Sequence, residues 1–270
     1  MNSSFLKWAG GKKWFISHYA KLFPKTYNRY IEPFLGGGIV FFYLEPQKAL
    51  LNDINKELII TYKVIKNDPN NLFEILKKME KKHCKEYYYK IRETKPTEDV
   101  KIAARMIYLN HTCFNGIYRV NPRGEFNVPI GTLNNVIRDN DNYEVRSKLL
   151  KNVKFYNDDF EGIIDKAAKG DLLFCDPPYA IKEGNVFVSY NRKEFMFDDQ
   201  IRLAKAIDRA RKRKVKIIMT NVNHKSIKEL YDETKYELIE ARRNCTIAGN
   251  IKGRNEYKEL IITTNIKEED

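Results

Sequence analysis

Seven short strand-like runs, at residues 30–34, 49–51, 153–156, 172–175, 215–220, 236–240 and 259–263, are separated for the most part by segments of helical periodicity. Strands buried on both faces read as continuous apolar runs, and strand–helix alternation predicts a largely parallel sheet with helices on both faces. Ile201, Ala204, Ile207 and Ala210 predict one apolar helix face, and Leu58, Ile59, Tyr62 and Ile65 predict another. The alternation breaks between residues 56 and 144. There Leu72, Ile75, Leu76 and Met79, then Val100, Ala103, Ala104, Ile107 and Tyr108, predict consecutive helices, followed by a stretch punctuated by glycine and proline. The expectation is an α/β fold of two domains: a sheet domain from residues 1–55 plus 145–270, and an inserted helical lobe, 56–144, ending in a β-hairpin.

Charge narrows the partners. Lys and Arg number 49 against 36 Asp and Glu, a net charge of +13, which favours a polyanion. The cluster Arg209, Arg211, Lys212, Arg213, Lys214 and Lys216 reads as a solvated helix end and strand entry, not as a nucleic-acid contact. Cys84, Cys113, Cys175 and Cys245 lack the paired spacing of a zinc site and read as reduced thiols of a cytoplasm, with no metal implied. The first residues form no signal-peptide core, and no apolar run approaches the roughly 18 residues of a membrane span.

The run 172–175 ends in Asp176-Pro177-Pro178-Tyr179. Consecutive prolines can neither continue a ladder nor enter a helix interior, so this strand ends in a stiff, extended turn. Neither proline has an N–H to donate. The carbonyls of Asp176 and Pro177 and the Asp176 carboxylate form an acceptor-rich group suited to an exocyclic amino group, and Tyr179 can offer a ring face to a planar base.

A second constellation lies upstream. Residues 29–34 predict a strand, Leu35-Gly36-Gly37-Gly38 a tight loop, and residues 39–44 the start of an apolar helix, a unit in which a ligand can approach bare backbone. The run 49–51 leads into Asn52-Asp53, about twenty residues after the loop, where an acidic side chain commonly takes ribose hydroxyls. A dinucleotide fingerprint requires a small residue where Phe41 stands, so the expected ligand is a nucleoside without pyrophosphate and not NAD. Residues 114–129 mix aromatic, amide and guanidinium side chains around Asn-Gly and Pro-Arg-Gly turns, which suits a hairpin reading bases in a groove as well as a plain surface hairpin.

Taken in order, Lys7-Trp8-Ala9-Gly10-Gly11-Lys12, Tyr30-Ile31-Glu32-Pro33-Phe34-Leu35-Gly36-Gly37-Gly38, Asn52-Asp53, Phe114-Asn115-Gly116-Ile117-Tyr118-Arg119-Val120-Asn121, Phe126-Asn127-Val128-Pro129 and Asp176-Pro177-Pro178-Tyr179 resemble the Dam-type (D12 class) DNA adenine-N6 methyltransferases. The sequence looks most similar to GATC-modifying members of restriction systems, and the resemblance spans nearly the whole chain. It implies a Rossmann-like methyltransferase fold with a mostly parallel seven-stranded sheet. It implies methyl transfer from S-adenosylmethionine to N6 of an adenine flipped out of double-stranded DNA, at GATC.

The resemblance also implies roles. Trp8, Gly10 and Lys12 would border the cofactor, Glu32, Phe34, Gly36 and Gly38 would cradle its methionine part, Asp53 would take its ribose, and Asp159 and Phe160 would meet its adenine ring. Asp176, next to the cofactor, and the Pro177 carbonyl would accept the hydrogens of the target amino group, with Tyr179 stacked on the flipped base. Lys7 would contact DNA, Phe114 would act as a wedge, Asn115 would meet the orphan base or a phosphate, and Ile117, Arg119 and Pro129 would read base pairs. Two departures stand out: Gly131-Thr132-Leu133 where many relatives have Gly-Arg-Tyr, and His111 where some have arginine. The alternatives are N4-cytosine transfer, against which Asp176 speaks because those enzymes more often carry serine there, and an inactive DNA-binding relative. The resemblance leaves a companion restriction endonuclease open, and it implies a monomer in the cytoplasm of a prokaryotic or phage-infected cell.

Overall fold

The computed structural model describes residues 4–121, 123–138, 141–183, 186–189, 195–243 and 257–264. In chain order it contains α1 (Lys13–Tyr19), β1 (Tyr30–Glu32), α2 (Ile39–Leu44), β2 (Ala49–Asn52), α3 (Lys56–Asn67), α4 (Pro69–Lys81), α5 (Lys85–Glu93) and α6 (Asp99–Thr112). There follow α7 (Tyr143–Leu150), β3 (Val153–Tyr156), α8 (Phe160–Ile164), β4 (Leu172–Cys175), β5 (Ala180–Glu183), β6 (Val186–Ser189) and α9 (Phe197–Lys212). The last elements are β7 (Lys216–Val222), α10 (Lys225–Lys228), β8 (Glu237–Arg243) and β9 (Tyr257–Thr263).

All seven expected strands form, and they make one seven-stranded sheet in the order β3-β2-β1-β4-β7-β9-β8. Strand β1 is parallel to β2 and β4, and β4 is parallel to β7, whereas β9 runs antiparallel to both β7 and β8. This is the Rossmann-like methyltransferase arrangement. Every residue of β1, β2 and β4 is buried, as continuous apolar runs require of parallel strands covered on both faces.

The chain divides into two compact units: Met1–Ile16, Leu35–Gln47 and Asp53–Asn157 form one, and Ser17–Phe34, Lys48–Asn52 and Asp158–Asp270 form the other. In the first, α3 and α6 pack together with α4, α5 and α7. Most of the expected stripes are buried, Leu58, Ile59, Tyr62 and Ile65 on α3, Leu72, Leu76 and Met79 on α4, and Ala103, Ala104, Ile107 and Tyr108 on α6, while Ile75 and Val100 are only half-buried. Asn55 caps α3 by accepting the Leu58 N–H at 3.1 Å, and Pro69, whose missing N–H costs nothing in a first turn, opens α4.

Three features differ from the sequence expectation. On α9 the buried face is Phe197, Gln200, Leu203, Ala206, Ile207 and Ala210, rotated from the predicted stripe because the polar Gln200 points inward. Strands β5 and β6 pair antiparallel directly after Tyr179, where no strand is predicted. The sequence signal for them is two short runs either side of Gly184-Asn185, a residue pair that favours two-residue turns in sequence. The expected hairpin of residues 114–129 forms without regular strands: among the described residues its limbs join at the bridges Val120 with Phe126 and, just outside, Cys113 with Ile130, and by the Asn127 N–H donating to the Arg119 carbonyl at 3.2 Å and the Asn121 N–H to the Glu125 carbonyl at 2.8 Å. Asn115 adopts a left-handed φ of 56° inside a short 3-10 turn, which breaks a regular ladder there.

Candidate active site

In the unit carrying most of the sheet, the turn after β4 is clamped at Asp176, Pro178 and Tyr179 by side chains from neighbouring elements. The Thr220 hydroxyl of β7 donates to Asp176 Oδ1 at 2.8 Å. Gln200 of α9 donates its amide to the Pro178 carbonyl at 3.1 Å, and Asn221 of β7 in turn donates to Gln200 Oε1 at 2.9 Å. The Tyr179 hydroxyl donates to Glu259 of β9. Thr220, Asn221, Gln200 and Glu259 are all buried polar residues, and each finds its partner in or beside this turn. No described donor reaches the Pro177 carbonyl, so among the described residues the turn keeps one carbonyl acceptor uncommitted while its neighbour is occupied.

Glu32 is buried at the end of β1, and the Cys175 thiol lies near both its carboxylate and that of Asp176. Burial, and then those two negative charges, push the thiol well above the usual cysteine range, so Cys175 is no nucleophile at neutral pH. Cys84 and Cys113 are also free thiols, and Cys245 lies outside the described residues. Phe34 and Phe160 pack at 5.4 Å between ring centroids, and Phe195, not singled out in the sequence, closes a three-ring cluster at 5.8 Å from each. Asp159 caps α8 by accepting the Glu161 N–H at 2.9 Å, and it also pairs with Arg202, whose guanidinium lies 4.9 Å above the Phe160 ring. The basic residues of α9 are similarly engaged, Arg209 with Glu161 and Asp165, and Arg211 with Asp208.

The other unit holds the glycine loop. Gly36 and Gly38 sit at φ of 48° and 62°, in the left-handed region where glycine is favoured. A Cβ on Gly36 would lie 2.7 Å from Trp8 Cδ1, and one on Gly38 would lie 2.6 Å from the Tyr62 hydroxyl. Close approach at these glycines is therefore made by the protein's own rings. Asp53 fixes the loop: one carboxylate oxygen accepts the Gly36 N–H at 2.9 Å and the other accepts the Asn55 N–H at 2.9 Å. Lys12, almost fully buried, donates to the Gly10 carbonyl at 2.8 Å.

Trp8 also stacks on Tyr118 at 5.1 Å and 20° between planes, which joins the N-terminal motif to the 114–129 excursion. Buried Asn110 reinforces that joint. Its amide accepts the Lys7 N–H at 2.9 Å and donates to the Lys7 carbonyl at 2.8 Å and the Gly116 carbonyl at 3.2 Å. Asn110→Ala strands these backbone groups and is expected to destabilise the protein by about 2 kcal/mol in urea unfolding, with an unchanged midpoint counting against this role.

On the excursion, Phe114, Ile117 and Val120 are exposed apolar side chains, and Lys7, Asn115, Arg119 and Pro129 are exposed as well. The Asn127 amide oxygen accepts from Arg119 Nε at 2.9 Å, so Asn127, absent from the sequence candidates, orients the guanidinium. The two departures have structural consequences. His111 is fully buried between the carbonyls of Phe5 and Val136, each 2.7 Å from a ring nitrogen, and so serves the interior of this unit. Leu133, in the second departure, is apolar and about half exposed.

No described helix is long and apolar enough to cross a membrane, and the described residues contain no group of metal-ligating side chains. The sequence model of D12 class N6 adenine-specific DNA methyltransferases matches residues 8–245. Type II methyltransferase M1.LlaDCHI of Lactococcus lactis subsp. cremoris is 37% identical over 269 residues, covering 96% of this chain and 94% of its own length. Type II methyltransferase M.MjaIII of Methanocaldococcus jannaschii is 39% identical over 282 residues, covering 96% and 98%. The DNA adenine methylase of Escherichia coli K12 is 30% identical over 266 residues, covering 96% and 94%.

Proposed function

Since the chain belongs to the D12 class N6 adenine-specific DNA methyltransferases, we propose that it moves a methyl group from S-adenosylmethionine to N6 of a flipped adenine within GATC in duplex DNA. The observation that carries the reading is the turn after β4, where Asp176 is held by Thr220, the Pro178 carbonyl is taken by Gln200, and the Pro177 carbonyl is left as an acceptor. An adenine amino nitrogen is a poor nucleophile because its lone pair is delocalised into the ring. Acceptance of its two hydrogens by Asp176 and the Pro177 carbonyl favours a tetrahedral nitrogen, and the Asp176 charge stabilises the positive charge that develops there.

The donor, when bound, supplies an electrophilic methyl on a sulfonium. The chain's residues fit it chemically: Asp53 has the carboxylate for ribose hydroxyls, Glu32 and the backbone of residues 34–38 suit the amino-acid end, and Asp159 and Phe160 suit the adenine. Trp8, Gly10 and Lys12 border it. Residues 56–144 would form the target-recognition domain on a methyltransferase domain of residues 1–55 plus 145–270. Names of relatives as Type II methyltransferases favour a restriction-system setting with a companion endonuclease. A monomer working in the cytoplasm completes the reading.

Mass spectrometry of nucleosides from DNA incubated with enzyme and donor tests the chemistry. N6-methyldeoxyadenosine is expected, and N4-methyldeoxycytidine or no product would refute it. Within the excursion, Arg119 is the proposed reader of a guanine, presented by Asn127. A bidentate arginine–guanine contact gives about 1 to 3 kcal/mol of discrimination. Arg119→Ala is therefore expected to relax specificity at one base pair by about 10- to 100-fold while weakening binding to unrelated DNA much less. Equal losses on cognate and unrelated duplexes would reduce Arg119 to a phosphate contact.

A further inference from the structure

Glu259 is a carboxylate buried in the middle of a sheet, only 2% exposed, on β9 between Val222 of β7 and Ala241 of β8. An ionisable group in such a position is costly unless it is hydrogen-bonded, and the Tyr179 hydroxyl donates to it. The tyrosine follows two prolines that fix the backbone, so its ring direction is set by its side-chain torsions and by what holds its far end. Glu259 holds that end through this bond.

We infer that Glu259 is the positioning residue that fixes the ring plane of Tyr179 for stacking on the target base. The inference rests on the adenine-methyltransferase reading above and adds a residue that touches neither base nor cofactor in that reading. The strand register makes the geometry specific. Thr220, which holds Asp176, lies two residues before Val222, the β7 partner of Glu259. The sheet thus anchors both polar ends of the acceptor turn, the carboxylate through β7 and the phenol through β9. Loss of the Glu259 anchor leaves Asp176 held and loosens the phenol end of the ring, which predicts a defect in turnover and not in donor binding.

The test compares wild type, Glu259→Gln, Glu259→Ala, Tyr179→Phe and the Glu259→Ala/Tyr179→Phe double variant, using tritiated S-adenosylmethionine and unmethylated plasmid DNA. A ring misplaced by about 1 Å costs up to about 100-fold, so Glu259→Ala is expected to lower kcat about 10- to 100-fold with KM for the donor within about twofold of wild type. The isosteric Glu259→Gln, which keeps an acceptor oxygen for the phenol, should recover to within about threefold of wild type. Because the two residues act through one hydrogen bond, Glu259→Ala should add less than about twofold to the loss in Tyr179→Phe. Full activity in Glu259→Ala, failure of Glu259→Gln to recover turnover, a parallel rise in donor KM, or additive losses in the double variant would each overturn the proposal while leaving the enzymatic reading intact. Inactivity of the wild type would overturn that reading, and this proposal with it.

Discussion

Asp176→Ala is expected to abolish methyl transfer while DNA binding survives. The side chain is the proposed acceptor at the nitrogen where positive charge develops, and a preorganised electrostatic contact of this kind is worth on the order of 10³-fold, about 4 kcal/mol. The site is built to hold it still: Thr220 Oγ1 lies 2.8 Å from Asp176 Oδ1, and the following prolines fix the backbone. Asp176→Ala removes no buried apolar contact, so the fold should survive and gel-shift affinity for duplex DNA should change little. Single-turnover rates distinguish the outcomes. A variant retaining more than a tenth of wild-type turnover would remove Asp176 from the chemistry.

Asp53→Ala should weaken donor binding about 100-fold, about 2.7 kcal/mol. Two losses combine here. One is the proposed acceptor for the ribose hydroxyls, and the other is the clamp that holds the Gly36 N–H and the Asn55 N–H from the two carboxylate oxygens. Asp53→Asn separates them, since its single carbonyl oxygen keeps one of those bonds but not the charge, and an intermediate loss of about tenfold is expected. Titration calorimetry of DNA-free protein with S-adenosylmethionine measures both. An unchanged dissociation constant in Asp53→Ala would place the ribose contact on another residue.

The sheet was legible from its central strands β1, β2 and β4, which are buried along their whole length and so read as short, mostly apolar runs without alternation. The lobe helices were legible from their 3.6-residue stripes, Leu58 to Ile65 on α3 and Ala103 to Tyr108 on α6. On α9 the predicted Ile207 and Ala210 are buried, but in the first turns Gln200, Leu203 and Ala206 face the core in place of Ile201 and Ala204, because a buried glutamine looks, in sequence, like a surface residue. Gln200 is inside because its amide joins the Pro178 carbonyl to Asn221, a tertiary arrangement that no local pattern encodes. The same holds for Glu259 and Thr220, polar residues inside strands whose partners lie 80 and 44 residues away in sequence. The acceptor turn and the glycine loop were visible as motifs, but what grips them was not. Phe195 escaped for the same reason, its ring meeting Phe34 and Phe160 only through the fold.

Direct modified-base sequencing of DNA from cells expressing this chain, in a host free of adenine methylation, tests the proposed methylation of adenine N6 at GATC in base, position and site together. N6-methyladenine is expected at the adenine of GATC sites across the genome and at few others, and is expected to disappear when Asp176→Ala is expressed instead. Methylation at a motif without GATC would contradict the base-by-base assignment of the recognition excursion, and an absence of N6-methyladenine from a well-expressed wild-type chain would contradict the enzymatic claim itself.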